Sequence, residues 1–368
     1  DVTNYDASYV PEYVSVGVLS APFHGAGIDG AKYFETDWQG APIPAANLLG
    51  FRREPAATNN LLYGRDLTVQ YITMTAKRWE VTGTYGAELV TNGTFTADLS
   101  DWTPAVGAGG SITATGGICT FVSDGGAYTG ITNSATLTIG KTYVVTVVAS
   151  GTGSLKFVST LEVTNIGNGT SAFSFVATGT SITLARTAGV ACNLDIDSIS
   201  IKEAAVQCTK VTGLDGIANA ATTLTATAAD AIILQPITLA SAARCASAYV
   251  KRRTGTGTIS FTQDGGSTWT DITSQINSST WSRVQITSTL VDPSTGFKIS
   301  TSGDAIDVDC VQNEAGPVAT SPIVTTTATI TRNAESLTYQ TAGNIDFSVG
   351  TLYGEGLFAN AAVTRRIA

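Results

Sequence analysis

The chain has 368 residues, 43% of them apolar and only 13% charged, with 20 Lys and Arg against 29 Asp and Glu and a net charge of -9. That balance excludes a disordered chain, which needs low hydrophobicity together with high net charge, and a nucleic-acid partner, which needs clustered cations. The 38 glycines and the abundance of Thr and Val argue against long helices, because β-branched side chains lose rotamer freedom there and Gly weakens them.

The first 57 residues crowd aromatics, Pro and Gly together and predict an irregular docking segment of short strands and turns that covers a partner surface. The phrase TNNLLYGRDLTVQYITMTAKRW (58–79) follows. ELVTNGTFTADLSDWTP (88–104) then opens a module that closes with LDIDSISIKEA (194–204). Between them ICTFV, YVVTVVA, LKFVST, AFSFVA and SITLA alternate in the manner of half-buried strands separated by turn clusters. That spacing predicts an antiparallel jelly roll over 86–204. A second set, from ATTLTAT (221–227) to AIDVDCVQN (305–313), repeats the design. After it comes a Thr-rich stretch, and 323–368 reads as a linker and the start of a further β-domain. No apolar stretch reaches the length of a membrane-spanning helix, and a charged-then-apolar leader is lacking, so the expectation is a soluble protein with no membrane partner.

Both modules carry a Gly-Thr-Gly phrase preceded by a Tyr-containing strand, YVVTVVASGTGSLKF (143–157) and YVKRRTGTGTISF (249–261), and both end on a D-x-D strand, Asp195/Asp197 and Asp307/Asp309. The repeat reads as two copies of one sandwich, with Gly-Thr-Gly as a hairpin turn. The second copy lacks an N-G-T-F…W opening, and 58–79 is the segment that can supply it. The expected architecture is therefore all-β: tandem jelly-roll β-sandwiches, one (86–204) inserted in a loop of the other (58–85 plus 205–322). Insertion at a loop tip is tolerated because closure entropy grows slowly with length.

Several phrases carry a family resemblance. YVSVGVLSAPFHGAGIDGAKYFET (13–36) with REPAATNNLLYGRDLT (53–68), and 213–252 with WSRVQIT, SGDAIDVDCVQNEAG and ATSPIVTTTATITRNAESLTY, resemble modular tail, fibre or decoration proteins of tailed bacteriophages and prophages. GTLYGEGLF (350–358) resembles the start of a concanavalin A-like lectin domain. ELVTNGTFTADLSDWT with IDSISIKEA is similar to carbohydrate-binding modules of the CBM4/9 type. The resemblance implies a non-enzymatic virion protein whose partners are other virion proteins and further copies of itself, with host or environmental glycans as ligands. The alternative is a secreted bacterial carbohydrate-binding protein or adhesin. A glycosidase or depolymerase would need a carboxylate-lined cleft.

Sugar recognition rests on aromatic rings stacked on apolar pyranose faces. Trp102 and Tyr128 are candidates in the first module and Trp269 and Trp281 in the second; for Trp102 and Trp281 a core position is the competing reading. TQDGGSTW (262–269) fits an Asp-box, read as a structural turn held by Asp264. Alternation sets each D-x-D pair on one face, most simply the solvent face. The CBM4/9 resemblance implies a structural Ca²⁺ at Asp197 with Asn92 or Glu88 as co-ligands, calcium being a hard ion that takes oxygen donors; no other cofactor is implied. The basic run Lys251–Arg253 is read as a solvated turn. Cys119 with Cys192, and Cys245 with Cys310, are candidate bridges against a reading as buried thiols. The only histidine, His24, stands apart from any nucleophile motif, so no catalytic residue is assigned.

Overall fold

The computed structural model describes residues 13–14, 56–69, 71–73, 76–158, 162–333 and 336–337. The docking segment, His24 and the lectin-like phrase lie almost wholly outside them. The described chain is all-β, and its apolar side chains collect into two large cores.

The inserted sandwich pairs Gly169–Val176, Thr142–Thr152, Cys192–Ala204, Ile118–Ser123 and Gly110–Thr115, in that order, into a long sheet. Its short sheet orders Glu162–Ile166, Leu155–Val158, Ile182–Arg186, Thr129–Asn133 and Trp102–Val106, and Tyr71–Thr73 with Ala76–Lys77, from the 58–85 segment, extend it beyond Glu162–Ile166. Alternation drives the burial: in Thr142–Thr152 the side chains of Tyr143, Val145, Val147 and Ala149 enter the core while their neighbours face outward.

The outer sandwich repeats this order. Its long sheet runs Ser282–Leu290, Ala242–Thr254, Ala305–Ala315, Ala221–Ala226 and Val206–Val211; its short sheet runs Thr270–Asp271, Ile259–Thr262, Ser294–Ile299, Ala231–Pro236 and Glu80–Val81. Glu80–Val81 stands where Trp102–Val106 stands in the inserted copy, and Val206–Val211 where Gly110–Thr115 stands. The insertion thus enters between the first two strands of the outer sandwich. Leu61, Leu67, Trp79 and Val81 lie in one core with Leu224, Ile233, Phe261, Phe297 and Val308.

Both Gly-Thr-Gly phrases differ from the hairpin expectation. Each joins a strand of the long sheet to one of the short sheet, Thr142–Thr152 to Leu155–Val158 and Ala242–Thr254 to Ile259–Thr262, so each is a corner between layers. The tyrosines are also out of register. Tyr143 pairs with Glu203 and points into the core, whereas Tyr249 pairs with Asp309 and packs outside it against Cys310 and Trp281.

An opening latch occurs in both copies. The Ile199 amide donates to Gly93 O at 2.8 Å and the Val311 amide to Gly64 O at 2.7 Å. The preceding residues, Asn92 (φ 49) and Tyr63 (φ 50), are left-handed, and each offers its carbonyl to a buried indole, Trp102 Nε1 at 3.0 Å and Trp79 Nε1 at 3.1 Å. A Cβ at Gly93 or Gly64 would come under 3.0 Å from the Ile199 or Val311 carbonyl oxygen. Tyr63-Gly64 and Trp79 therefore occupy the places of Asn92-Gly93 and Trp102.

The two sandwiches meet at a joint. Thr142 N donates to Gln207 Oε1 at 2.8 Å, Gln207 Nε2 to Thr142 O at 3.1 Å, and Val81 N to Ser174 Oγ at 3.0 Å. Val144 and Val176 of the inserted copy pack on the outer core. The ends of the outer sandwich are zipped by pairing of Ala57–Asn59 with Ile330–Arg332.

Candidate functional site

The two D-x-D strands have the same outward register and opposite fates. Thr120 Oγ1 donates to Asp195 Oδ1 and Thr223 Oγ1 to Asp307 Oδ1, both at 2.7 Å. In the inserted copy Asp197 is exposed. In the outer copy the expectation of a solvent face fails: Asp307 and Asp309 are fully buried. Arg65 grips Asp309 through Nε at 2.7 Å and Nη2 at 3.0 Å and reaches Asp215 through Nη1 at 2.6 Å. The segment 319–325 lies over the same face. Thr320 N donates to Glu314 Oε1 at 2.8 Å, Ile323 N to Gln312 Oε1 at 3.0 Å, and Asn59 Nδ2 to Ile323 O at 2.9 Å. A buried carboxylate requires such partners.

The basic run is also paired rather than solvated. Arg253 reaches Asp307 at 3.1 Å, Lys251 reaches it at 3.6 Å, and Arg252 donates to Gly257 O at 2.8 Å and to Asp304 at 3.4 Å.

Two of the three residues expected at the calcium site, Glu88 and Asn92, have their side-chain oxygens engaged within the fold. Glu88 Oε1 accepts the amides of Leu89, Val90 and Ile201, at 3.1, 3.1 and 2.7 Å, and Oε2 accepts Ser200 Oγ. Asn92 Oδ1 takes the Thr96 amide and its Nδ2 donates to Asp98 O and Ser100 O. Donors point at the oxygens a calcium would need. In the outer copy the neutral Asn59 Oδ1 takes the equivalent amides, Leu61 N and Asn313 N, both at 3.1 Å. The task at this position is amide capture, and charge is dispensable for it. Among the described residues no cluster of three or more His, Cys, Asp or Glu is placed to hold a metal. All five cysteines are buried, and neither candidate bridge forms.

Of the four glycan candidates, three are engaged by the fold. Trp102 is 4% exposed and lies 5.4 Å from Phe95, ring to ring; it is a core residue and cannot stack on a sugar. Trp269 packs against Gly266 and carries the Lys298 ammonium 5.2 Å from its ring centroid. It closes the Asp-box turn, where Asp264 Oδ1 accepts Thr268 N at 3.0 Å and Thr262 Oγ1 at 2.7 Å. Trp281 is partly buried beside Tyr249 and Cys310.

Tyr128 differs. It is 52% exposed, and its hydroxyl end lies over Gly130, where an added Cβ would fall 2.6 Å from the phenol oxygen. Only glycine leaves room for the ring to lie down on the sheet. Arg186, at the end of Ile182–Arg186, holds the preceding loop: Nε donates to Ala127 O, and Nη1 to Gly125 O at 2.9 Å. Gly189 N adds a bond to Gly125 O at 3.1 Å. Two exposed side chains that the sequence reading passed over lie beside this loop. Val106 is 48% exposed and pairs with Thr129, and Val190 is 36% exposed with its backbone against Gly125. An isolated valine next to glycine carries no periodic signal, so only the loop packing reveals them. Strand directions put 106–110, 124–128 and 187–191 together at the end of the inserted sandwich opposite the Thr142–Gln207 joint.

No family model and no curated protein sequence matches the chain. Among solved structures, the tandem CBM22-1–CBM22-2 domain of Xyn10C from Paenibacillus barcinonensis is 8% identical with a TM-score of 0.24, covering 64% of this chain and 100% of that one. An oxalate decarboxylase from Lactobacillus farciminis is 8% identical with a TM-score of 0.12, covering 65% and 89%. Overlap at this level says nothing about what the chain binds.

Proposed function

We propose that the protein is a non-enzymatic virion component, a phage fibre, tail or capsid-decoration protein, in which 58–85 with 205–322 is the scaffold and 86–204 is the displayed module. The module's distal end meets host or environmental glycans through Tyr128, and the chain acts as part of an assembly with other virion proteins and further copies of itself. The observation that carries the glycan part is the Tyr128 ring, half-exposed and laid on Gly130, at the end of the module farthest from its joint to the scaffold. A flat, held ring is the platform that pyranose stacking needs, and holding it beforehand lowers the entropy cost of binding. The buried D-x-D face of the scaffold copy supports giving it a load-carrying role. The virion setting rests on the sequence resemblance.

The test is a glycan array with the full chain. Selective binding that disappears in Tyr128→Ala, and falls in Gly130→Ala where the ring is pushed off its seat, is the expected result. Binding unchanged by Tyr128→Ala would refute the site. Labelling of purified phage particles with an antibody to 86–204 tests the setting: a chain absent from particles but present in culture medium would favour the secreted alternative.

A further inference from the structure

We propose that Asn168, at the distal end of the inserted module, is a site of spontaneous deamidation, and that its sequence twin Asn92 is protected from the same reaction. The sequence contains two Asn-Gly pairs, and both are followed by Thr: Asn92-Gly93-Thr94 and Asn168-Gly169-Thr170. In such a pair the glycine nitrogen, with no Cβ beside it to shield it, attacks the asparagine Cγ. The Cγ–Nδ2 bond breaks, Nδ2 leaves as ammonia with the proton of the glycine amide, and a cyclic imide remains. Water then opens the imide at either carbonyl, giving aspartate or isoaspartate. The reaction needs a side chain free to turn its Cγ onto the following amide, and room for the ring and the water. With the local sequence matched, the fold decides between the two pairs.

Asn92 is half-buried and tied at both ends of its amide: Oδ1 accepts the Thr96 amide at 3.2 Å, and Nδ2 donates to Asp98 O at 3.0 Å and Ser100 O at 2.8 Å. Gly93 is hemmed in, since a Cβ there would fall 2.3 Å from the Ile199 carbonyl oxygen. Asn168 and Gly169 are both exposed. Among the described residues the Asn168 side chain makes one hydrogen bond, accepting the Gly151 amide at 3.3 Å, a length at which such a bond is weak. Nothing lies within 4 Å of a Cβ built at Gly169. Gly169 pairs with Ala149 as the last rung of its ladder, the place where a strand opens most readily. That rung lies at the end of Thr142–Thr152 away from Thr142 and its joint with Gln207, so the new charge appears on the distal end. An aspartate at 168 still accepts the Gly151 amide and keeps the corner. Isoaspartate adds a main-chain carbon there.

The experiment is ageing of the full chain in mildly alkaline buffer, folded and in urea, followed by peptide mapping with mass spectrometry at Asn92 and Asn168. Enzymatic methylation counts the isoaspartate formed. In urea the two pairs should convert at similar rates, as their shared Asn-Gly-Thr sequence requires. In the folded chain Asn168 should convert at least about tenfold faster, because Asn92 must break three hydrogen bonds against one at Asn168, each on the order of a fivefold factor. A more acidic form should grow in step on ion exchange and be absent from Asn168→Gln, whose longer side chain closes a larger, slower-forming ring. Equal conversion of the two pairs in the folded chain, or an Asn168 that stays intact while folded, overturns the proposal. A preference for Asn168 that is just as large in urea also overturns it, because the difference would then come from sequence and not from the fold.

Discussion

Gly64 and Gly93 offer the same perturbation in two places. Substituting Ala puts a methyl group under 3.0 Å from the Val311 or Ile199 carbonyl oxygen, in the middle of the strand that carries each D-x-D pair. The opening segment must lift away by about 1 Å, which breaks the Val311 N–Gly64 O or Ile199 N–Gly93 O bond and strains the indole bond of Trp79 or Trp102. Two weakened hydrogen bonds cost about 1 kcal/mol each, and overpacking adds about 1–3 kcal/mol. The expected loss is therefore about 3–5 kcal/mol for either variant, a fall of roughly 10–20 °C in Tm for a domain of this size. Urea unfolding followed by fluorescence separates the copies in variants that keep a single tryptophan, Trp79 in the outer core or Trp102 in the inserted one, with the others replaced by Phe. Gly93→Ala should weaken the transition seen at Trp102, and Gly64→Ala that seen at Trp79. Losses below about 0.5 kcal/mol in either copy would refute the claim that this latch closes both sandwiches.

Three further outcomes are expected. Arg65→Met leaves the buried Asp309 carboxylate without its guanidinium and should destabilise the outer sandwich by about 3–5 kcal/mol in chemical denaturation; a neutral effect would mean that Leu214 N and Cys310 N, at 2.9 and 2.8 Å, suffice alone. Burial raises the Glu314 carboxyl above 4.5, against the opposing hydrogen bonds from Thr320 and Gln312 and the charge of Arg283. Its contribution to stability is therefore complete below about pH 4.5 and is lost as pH rises through its folded value. Burial would raise Asp215 and Asp264 as well, but the Arg65 contacts and the Thr268 and Thr262 hydrogen bonds outweigh it and hold both below 3.8, so their contributions are lost only in stronger acid. The urea midpoint should accordingly be higher at pH 5 than at pH 8, and Glu314→Gln should shrink that difference; a difference unchanged by the substitution would count against the argument. Finally, burial pushes the Cys119 and Cys245 thiols up to about 12, and no disulfide-exchange reagent should titrate any of the five native cysteines before unfolding. A fast-reacting thiol would contradict their burial.

The strands were legible because alternation reports half-burial directly, and the two D-x-D strands because a repeated polar pair interrupts it. What alternation cannot report is which layer a strand joins. For that reason Gly-Thr-Gly looked like a hairpin turn when it is a corner, and Tyr143 looked equivalent to Tyr249 although pairing sets Arg244 opposite Ala315 where Tyr143 stands opposite Glu203. The burial of Asp307 and Asp309 was hidden for a related reason: Arg65, the partner of Asp309, lies 244 positions away from it, Thr223, the partner of Asp307, lies 84 away, and the covering segment 319–325 has no strand pattern. Of the site, Tyr128 was readable as an aromatic in a glycine-rich loop. Its seat on Gly130 depends on loop packing that no local pattern encodes. Glu88 was noticed for its charge, yet its counterpart Asn59 does the same work uncharged.

The pairing of Thr84 with Ala204 and Tyr85 with Glu203 has a consequence for the order of events in folding. Glu80–Val81 must find Ala231–Pro236 across a long stretch of chain, and an unfolded insert makes that search costly. Once the insert has folded, its two ends sit one strand spacing apart and the loop to be closed shrinks several-fold. The saving in closure entropy is about 1–2 kcal/mol, roughly tenfold in rate. The hypothesis is that the displayed module forms first and then acts as a staple for the scaffold that carries it. Stopped-flow refolding in which the Trp79 signal recovers before that of Trp102 would contradict this order.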